Sequence, residues 1–160
     1  EVIAESGGTP LMSRVGHAFI KAQMRAANAI FAGELSGHYY FQENYFAESS
    51  SLAALSIANL VSQSSVPLSA LVKPIQRYFA SGEINSEVHD PKKVLERLRA
   101  QYATGGKVTE LDGLSIEFAD WWFNVRGSNT EPLVRLNLEA KTKAQMEKMR
   151  DEVLALIRAP

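Results

Sequence analysis

From Val108 onward apolar and polar residues alternate, whereas before it they fall into helical spacing or short unbroken runs. The opening EVIAESGG has the form of a last helical turn, stopped by Gly7 and Gly8 as left-handed caps. TPLMS, residues 9–13, predicts a short strand, and Arg14-Val15-Gly16 a turn. HAFIKAQMRAA, residues 17–27, is rich in good helix formers. AIFAGEL, residues 29–35, is an apolar run short enough for a buried strand, and SGHYYF predicts its hairpin partner after a tight turn. A helix follows over about 50–64, with Leu52, Leu55, Ile57, Leu60 and Val61 as its apolar body. These elements make a small α/β layer.

SQSSVPL, residues 62–68, is the most linker-like stretch, and a short helix ending near Pro74 comes after it. A strand is expected over 77–81. Asp90-Pro91 then starts a helix, since Asp caps well and Pro fits the first helical position. Val94, Leu95, Leu98 and Tyr102 give this helix one apolar side, and Gly105-Gly106 ends it. VTEL, an Asp112-Gly113 turn and LSIEF predict an antiparallel pair with Leu114, Ile116 and Phe118 on one face. DWWFNV and LVRLNLEA are two further strands, and Thr142 with Gln145 forms a capping box before a C-terminal helix. The expectation is a four- or five-stranded antiparallel sheet with helices on one face. The domains are placed at 1–66 and 77–160, with a hinge at 67–76.

Composition narrows the function classes. A formal net charge of −1 argues against nonspecific nucleic-acid binding, which draws on a basic surplus. Glu117, Asp120 and Glu139 likewise argue against a basic sheet face. No apolar run approaches the roughly 20 residues of a membrane span. The absence of cysteine excludes disulfides and thiolate metal sites, and fits a reducing cytoplasm. No grouping of His, Asp and Glu has metal-site spacing.

Two polar loops carry candidate chemistry. In RGSNTEP, Gly127 lets successive amides turn into one concavity. Ser128 and Thr130 add hydroxyls, Asn129 an amide and Arg126 a planar fork suited to phosphate, with Arg135 in the strand beyond. A hydrated hairpin loop is the plainer reading, and spacing alone does not decide. In GELSGH, Glu34 and Ser36 would project to one side in extended geometry, a carboxylate and a hydroxyl suited to vicinal sugar hydroxyls. Gly37 would permit close approach, and His38 would join them or stack at the strand edge. His17 is either a structural histidine or a general acid/base, and Lys21, one turn later, could meet a phosphate.

Together these motifs resemble the α-D-phosphohexomutase family, most closely its bacterial phosphomannomutase/phosphoglucomutase branch. GELSGH is similar to that family's sugar-recognition loop and RGSNTEP to its phosphate-binding loop, in the family's order and about ninety residues apart. Asn129 fits the hexose branch, because the phosphoglucosamine branch more often reads Arg-Pro-Ser-Gly-Thr. RVGHAFIKAQM resembles the segment with an active-site histidine, and YFASGEIN the start of the last domain. The resemblance tips residues 126–130 from plain loop to phosphate loop.

It implies most of a third domain, a truncated three-layer mixed α/β unit, followed by a complete fourth domain, an antiparallel sheet with helices on one face (TBP-like). The first strand of the third domain would be missing, leaving part of its sheet unpaired. The parent enzyme would interconvert hexose 1-phosphate and hexose 6-phosphate, of mannose or glucose, through a 1,6-bisphosphate and a phosphoserine. His17 would be catalytic; Glu34, Ser36, Gly37 and His38 would bind the sugar; Arg126 to Thr130, Arg135 and Lys21 would bind phosphate. Mg2+ would serve the whole enzyme from ligands in the N-terminal domains, with a glucose 1,6-bisphosphate-type activator. Neither a Thr-x-Ser-His-Asn-Pro-like nor an Asp-Gly-Asp-x-Asp-like segment occurs, so nucleophile and metal loop would lie on those missing domains. Ala47-Glu48-Ser49-Ser50 departs from the Asp-Ser-Gly or Asp-Gly common in the family. A free-standing sugar-phosphate binding module without catalysis is the alternative.

Overall fold

The computed structural model describes residues 1–128 and 131–159. The chain divides into two compact units, Glu1–Gln76 and Arg77–Pro160.

In the first unit a short helix α1 (Val2–Glu5) ends at Gly7, whose φ of 82° is left-handed. Residues 9–13, expected as a strand, form no ladder among the described residues. Alternation makes a segment fit for a sheet, but only a neighbouring strand turns it into one. Here the Met12 carbonyl accepts instead from the Gln23 side chain, at 2.8 Å. Helix α2 (His17–Ala27) buries Ile20 and Met24, one turn apart, against Tyr40. Strands β1 (Phe31–Gly33), β2 (Tyr39–Phe41) and β3 (Ala47–Glu48) form an antiparallel sheet in that order.

β1 is a strand but not a buried one, since Ile30, Phe31 and Leu35 are all more than half exposed. Helix α3 (Ser50–Ser62) begins where the Ser49 hydroxyl accepts from the Leu52 amide. Its apolar body also faces outward, with Leu55 at 65% and Leu60 at 55% exposure. A last helical turn, α4 (Leu68–Val72), follows.

The second unit has a larger core. Strands β4 (Phe79–Ala80), β5 (Ile84–Glu87), β6 (Lys107–Thr109), β7 (Leu114–Glu117), β8 (Trp121–Gly127) and β9 (Leu133–Ala140) make one six-stranded antiparallel sheet. It has more strands than expected because INSE forms β5 on the same edge of β9 as β4. Ala80 pairs with Glu139 and Ile84 with Leu136, so four steps along the edge face three on β9. The extra residue is a bulge at Ser81-Gly82-Glu83. Ser81 keeps it joined: its amide donates to the Leu138 carbonyl and its hydroxyl accepts from the Leu138 amide.

Helices α5 (Pro91–Tyr102) and α6 (Lys143–Ile157) share one core with the sheet. Val94, Leu98, Val153 and Ile157 meet Ile116, Phe123, Leu136 and Leu138, all buried. Asp90 caps α5 through the Lys92 and Lys93 amides, and Thr142 caps α6 through the Gln145 amide. Arg97 of α5 donates to the Leu156 and Ala159 carbonyls, tying the two helices at the end of α6. The alternating residues of β8 and β9 (Trp122, Asn124, Arg126, Arg135, Glu139) lie on the sheet's other face, away from the core.

Candidate functional site

Each unit holds one concentration of the polar residues singled out above. In the first, an open cleft of about 390 Å³ is lined by Gly16, His17 and Lys21 of the α2 start, with Glu34, Ser36, His38, Tyr40 and Glu48 opposite. His17 and Lys21 share a helix face, and the hairpin turn between β1 and β2 delivers Glu34, Ser36 and His38.

That turn is not extended, which corrects the geometry expected for Glu34 and Ser36. The Gly37 amide donates to the Glu34 carbonyl at 3.0 Å and the Glu34 amide to the His38 carbonyl at 2.9 Å. Gly37, at a φ of 82°, closes the turn in a region that disfavours any side chain. The Glu34 side chain points inward and is only 9% exposed. Its Oε1 accepts from the Gly16 amide at 3.0 Å, and its Oε2 from the Tyr40 hydroxyl at 2.7 Å. The carboxylate therefore pins the turn to the N-terminus of α2, where the helix dipole favours negative charge.

Burial of the Tyr40 phenol, together with its bond to Glu34, pushes its pKa up to about 12. Ser36 Oγ and His38 Nδ1 are 2.8 Å apart, a hydrogen bond whose direction follows the imidazole tautomer. His38 Nδ1 is also 3.6 Å from Glu34 Oε2. Glu48, in the stretch that departs from the family pattern, accepts from the Ser50 hydroxyl at 2.7 Å.

Tyr40, Glu48 and Gly16 had not been nominated. Tyr40 and Glu48 are cross-strand partners, so the pleat of β2 and β3 brings both to the cleft. The signal for Tyr40 was one of two phenol tips in YYF beside an acidic turn, too common to single out.

In the second unit Arg126 and Arg135 are direct cross-strand partners on β8 and β9. Glu83, in the edge bulge, spans them: Oε2 lies 3.2 Å from Arg126 Nη2 and Oε1 lies 3.5 Å from Arg135 Nη1. Asp112 Oδ2 is 3.9 Å from Arg126 Nη1. The Arg135 Nε is buried and has no hydrogen-bond acceptor among the described residues. Gly127 ends β8, and the Ser128 amide donates to the Leu133 carbonyl at 2.9 Å, closing the base of the loop. Asn129 and Thr130 lie outside the described residues. Glu83 and Asp112 are the partners that the sequence reading missed, because the contacts span 43 and 52 residues for Glu83.

Among the described residues no three His, Cys, Asp or Glu side chains group to hold a metal ion. No helix among them is long and apolar enough to cross a membrane.

Comparison with known proteins gives a consistent picture. The family model described as phosphoglucomutase/phosphomannomutase, alpha/beta/alpha domain III matches residues 1–78. That described as phosphoglucomutase/phosphomannomutase, C-terminal domain matches residues 83–156. The chain is 44% identical over 159 residues to a protein named phosphohexose mutases from Xanthomonas campestris pv. campestris, with 97% of this chain and 35% of the relative covered. It is 44% identical to the phosphomannomutase of Salmonella montevideo (98% and 35% covered) and 45% to that of Methanocaldococcus jannaschii (98% and 35%). The X-ray structure of a phosphoglucomutase/phosphomannomutase family protein from Burkholderia thailandensis superposes with a TM-score of 0.80 at 30% identity, over 98% of this chain and 34% of that one. The chain thus spans about a third of the length of the curated relatives it matches.

Proposed function

The chain belongs to the phosphoglucomutase/phosphomannomutase family, matching its domain III and C-terminal domain, and on that premise we propose that it is the substrate-binding part of an enzyme interconverting hexose 1-phosphate and hexose 6-phosphate. The observation that supports this best is the cleft of the first unit, where the start of α2 and the β1–β3 segment bring basic and acidic groups together.

Glu34 is held by two donors, one on each oxygen, so the remaining lone pair of each oxygen can accept from one of two neighbouring sugar hydroxyls. Ser36 and His38, already hydrogen-bonded to each other, add a donor and an acceptor beside it. A carboxylate that reads two adjacent equatorial hydroxyls serves the sugar in either orientation, which a 1,6-bisphosphate intermediate requires. It also serves mannose and glucose alike.

His17 is the acid/base, and Lys21 on the same face of α2 meets a phosphate one helical turn away. Residues 126–130 with Arg135 hold the phosphate that is not reacting, contributing position and charge neutralisation. The phosphoserine, the magnesium ion that supports it and the bisphosphate activator belong to the rest of a cytoplasmic parent enzyme. This chain alone turns nothing over.

An amide-resolved NMR titration with glucose 1-phosphate tests the assignment. Shifts are expected at Ser36 and Gly37 and, separately, at Gly127 and Ser128. Arg126→Ala should move the second set to about tenfold higher ligand concentration, for the loss of a charge-assisted contact. An unresponsive spectrum at tens of millimolar ligand would remove both loops from the binding site.

A further inference from the structure

Arg126 and Arg135 place two guanidinium groups directly across a strand pair, an arrangement that repels unless an anion lies between them. Glu83 supplies that anion, one carboxylate oxygen to each arginine. Its reach depends on the edge bulge, which takes Glu83 out of the ladder and leaves its side chain to cross from the strand edge. The match is incomplete. The buried Arg135 Nε finds no acceptor among the described residues, and both carboxylate oxygens are already engaged. A phosphate monoester has a third terminal oxygen to offer; a carboxylate does not.

We infer that Glu83 is an intramolecular stand-in for phosphate, holding the arginine pair in place and competing with the incoming phosphoryl group for it. The inference rests on reading residues 126–130 and Arg135 as a phosphate site. Competition from a tethered carboxylate lowers apparent affinity by the fraction of time it occupies the pair. Such weakening suits a site that must release a phosphate each time the bound sugar turns over. It also keeps the two guanidiniums side by side in the empty state, so that binding exchanges one anion for another without repacking the sheet.

The test uses the intact 160-residue chain and inorganic phosphate at constant ionic strength, followed at the Gly127 and Ser128 amides. Glu83→Gln keeps the shape and one acceptor oxygen while removing the charge. It should bind phosphate about fivefold more tightly than wild type, the scale of one partly exposed ion pair taken out of competition. Glu83→Asp keeps the charge but shortens the reach, and should gain about twofold by releasing Arg135. If Glu83→Gln does not fold, Glu83→Asp carries the decision.

Unchanged or weaker phosphate binding in the folded variant, against a responsive wild type, overturns the inference and leaves the phosphate site standing. No response from wild type or variant overturns both. A purely structural role for Glu83 would lower the unfolding temperature without tightening phosphate, which also counts against competition.

Discussion

Glu34 shows how one side chain can serve structure and recognition together. It is nearly buried, yet among the described residues its two oxygens meet only the Gly16 amide and the Tyr40 hydroxyl as close donors, with His38 beyond at 3.6 Å. Tyr40→Phe would leave Oε2 without its nearest donor and should cost about 1.5–3 kcal/mol of stability in the first unit, the range for a hydrogen bond to a charged group. Thermal unfolding followed by NMR of first-unit amides measures it. The same hydroxyl has a pH signature. Because the folded-state pKa of Tyr40 is raised to about 12 from 10.0, its contribution is complete below pH 10 and is lost as pH climbs towards 12. Absorbance titration of tyrosinate should show a late component that disappears in Tyr40→Phe. If the component lost in Tyr40→Phe instead titrates near pH 10, the Tyr40–Glu34 bond does not exist in solution.

At the level of elements, the Asp112-Gly113 turn couples the β6–β7 hairpin to the arginine pair. Gly113 has a φ of 75°, and a Cβ there would lie 2.4 Å from the Val125 carbonyl oxygen and 2.7 Å from the Arg126 Cα. Both contacts are to backbone or its branch point, so the strand itself would have to move. Gly113→Ala should cost about 2–4 kcal/mol, from left-handed strain plus the clash. Urea unfolding should register that loss together with a shift of the Gly127 amide; a loss below about 0.5 kcal/mol would show the hairpin to be more pliant than its geometry.

Which elements were legible in the sequence follows from where their information lies. The starts of α5 and α6 were readable because a cap is local: Asp90 and Thr142 bond amides two and three residues on. β5 was not, since its four residues alternate around a buried Ser86 and gain strand identity only from β9. Residues 9–13 failed in the opposite way, with a suitable pattern and no partner strand among the described residues. In the candidate site, five of the nominated residues line one cleft: helical spacing puts His17 and Lys21 on one face, and the closed turn between β1 and β2 delivers Glu34, Ser36 and His38. The Glu83 bridge was invisible, since a bulge and two distant strands must all form before the carboxylate meets an arginine.

Across the whole molecule the two units differ in how much of their apolar surface they bury. The second has a continuous core from both helices and the sheet. The first has Ile20, Met24 and Tyr40 as its buried cluster, while Leu55, Ile57 and Leu60 of α3 remain exposed. Residues 77–160 expressed alone should therefore keep the amide spectrum they show in the intact chain and unfold cooperatively. Residues 1–76 alone should bind a hydrophobic dye and melt broadly. Failure of the 77–160 piece to fold would mean that its core depends on contacts outside itself.

The bulge on the edge of the second sheet has one more effect. An open sheet edge is a template on which another copy can add a strand, and a long straight run of unpaired amides is what such addition needs. Here the edge is two residues of β4, a step of one residue at Ser81-Gly82-Glu83, then four residues of β5. A straight visiting strand that matches one piece falls out of phase with the other. The irregularity that carries Glu83 to the arginines thus also guards this edge against aggregation.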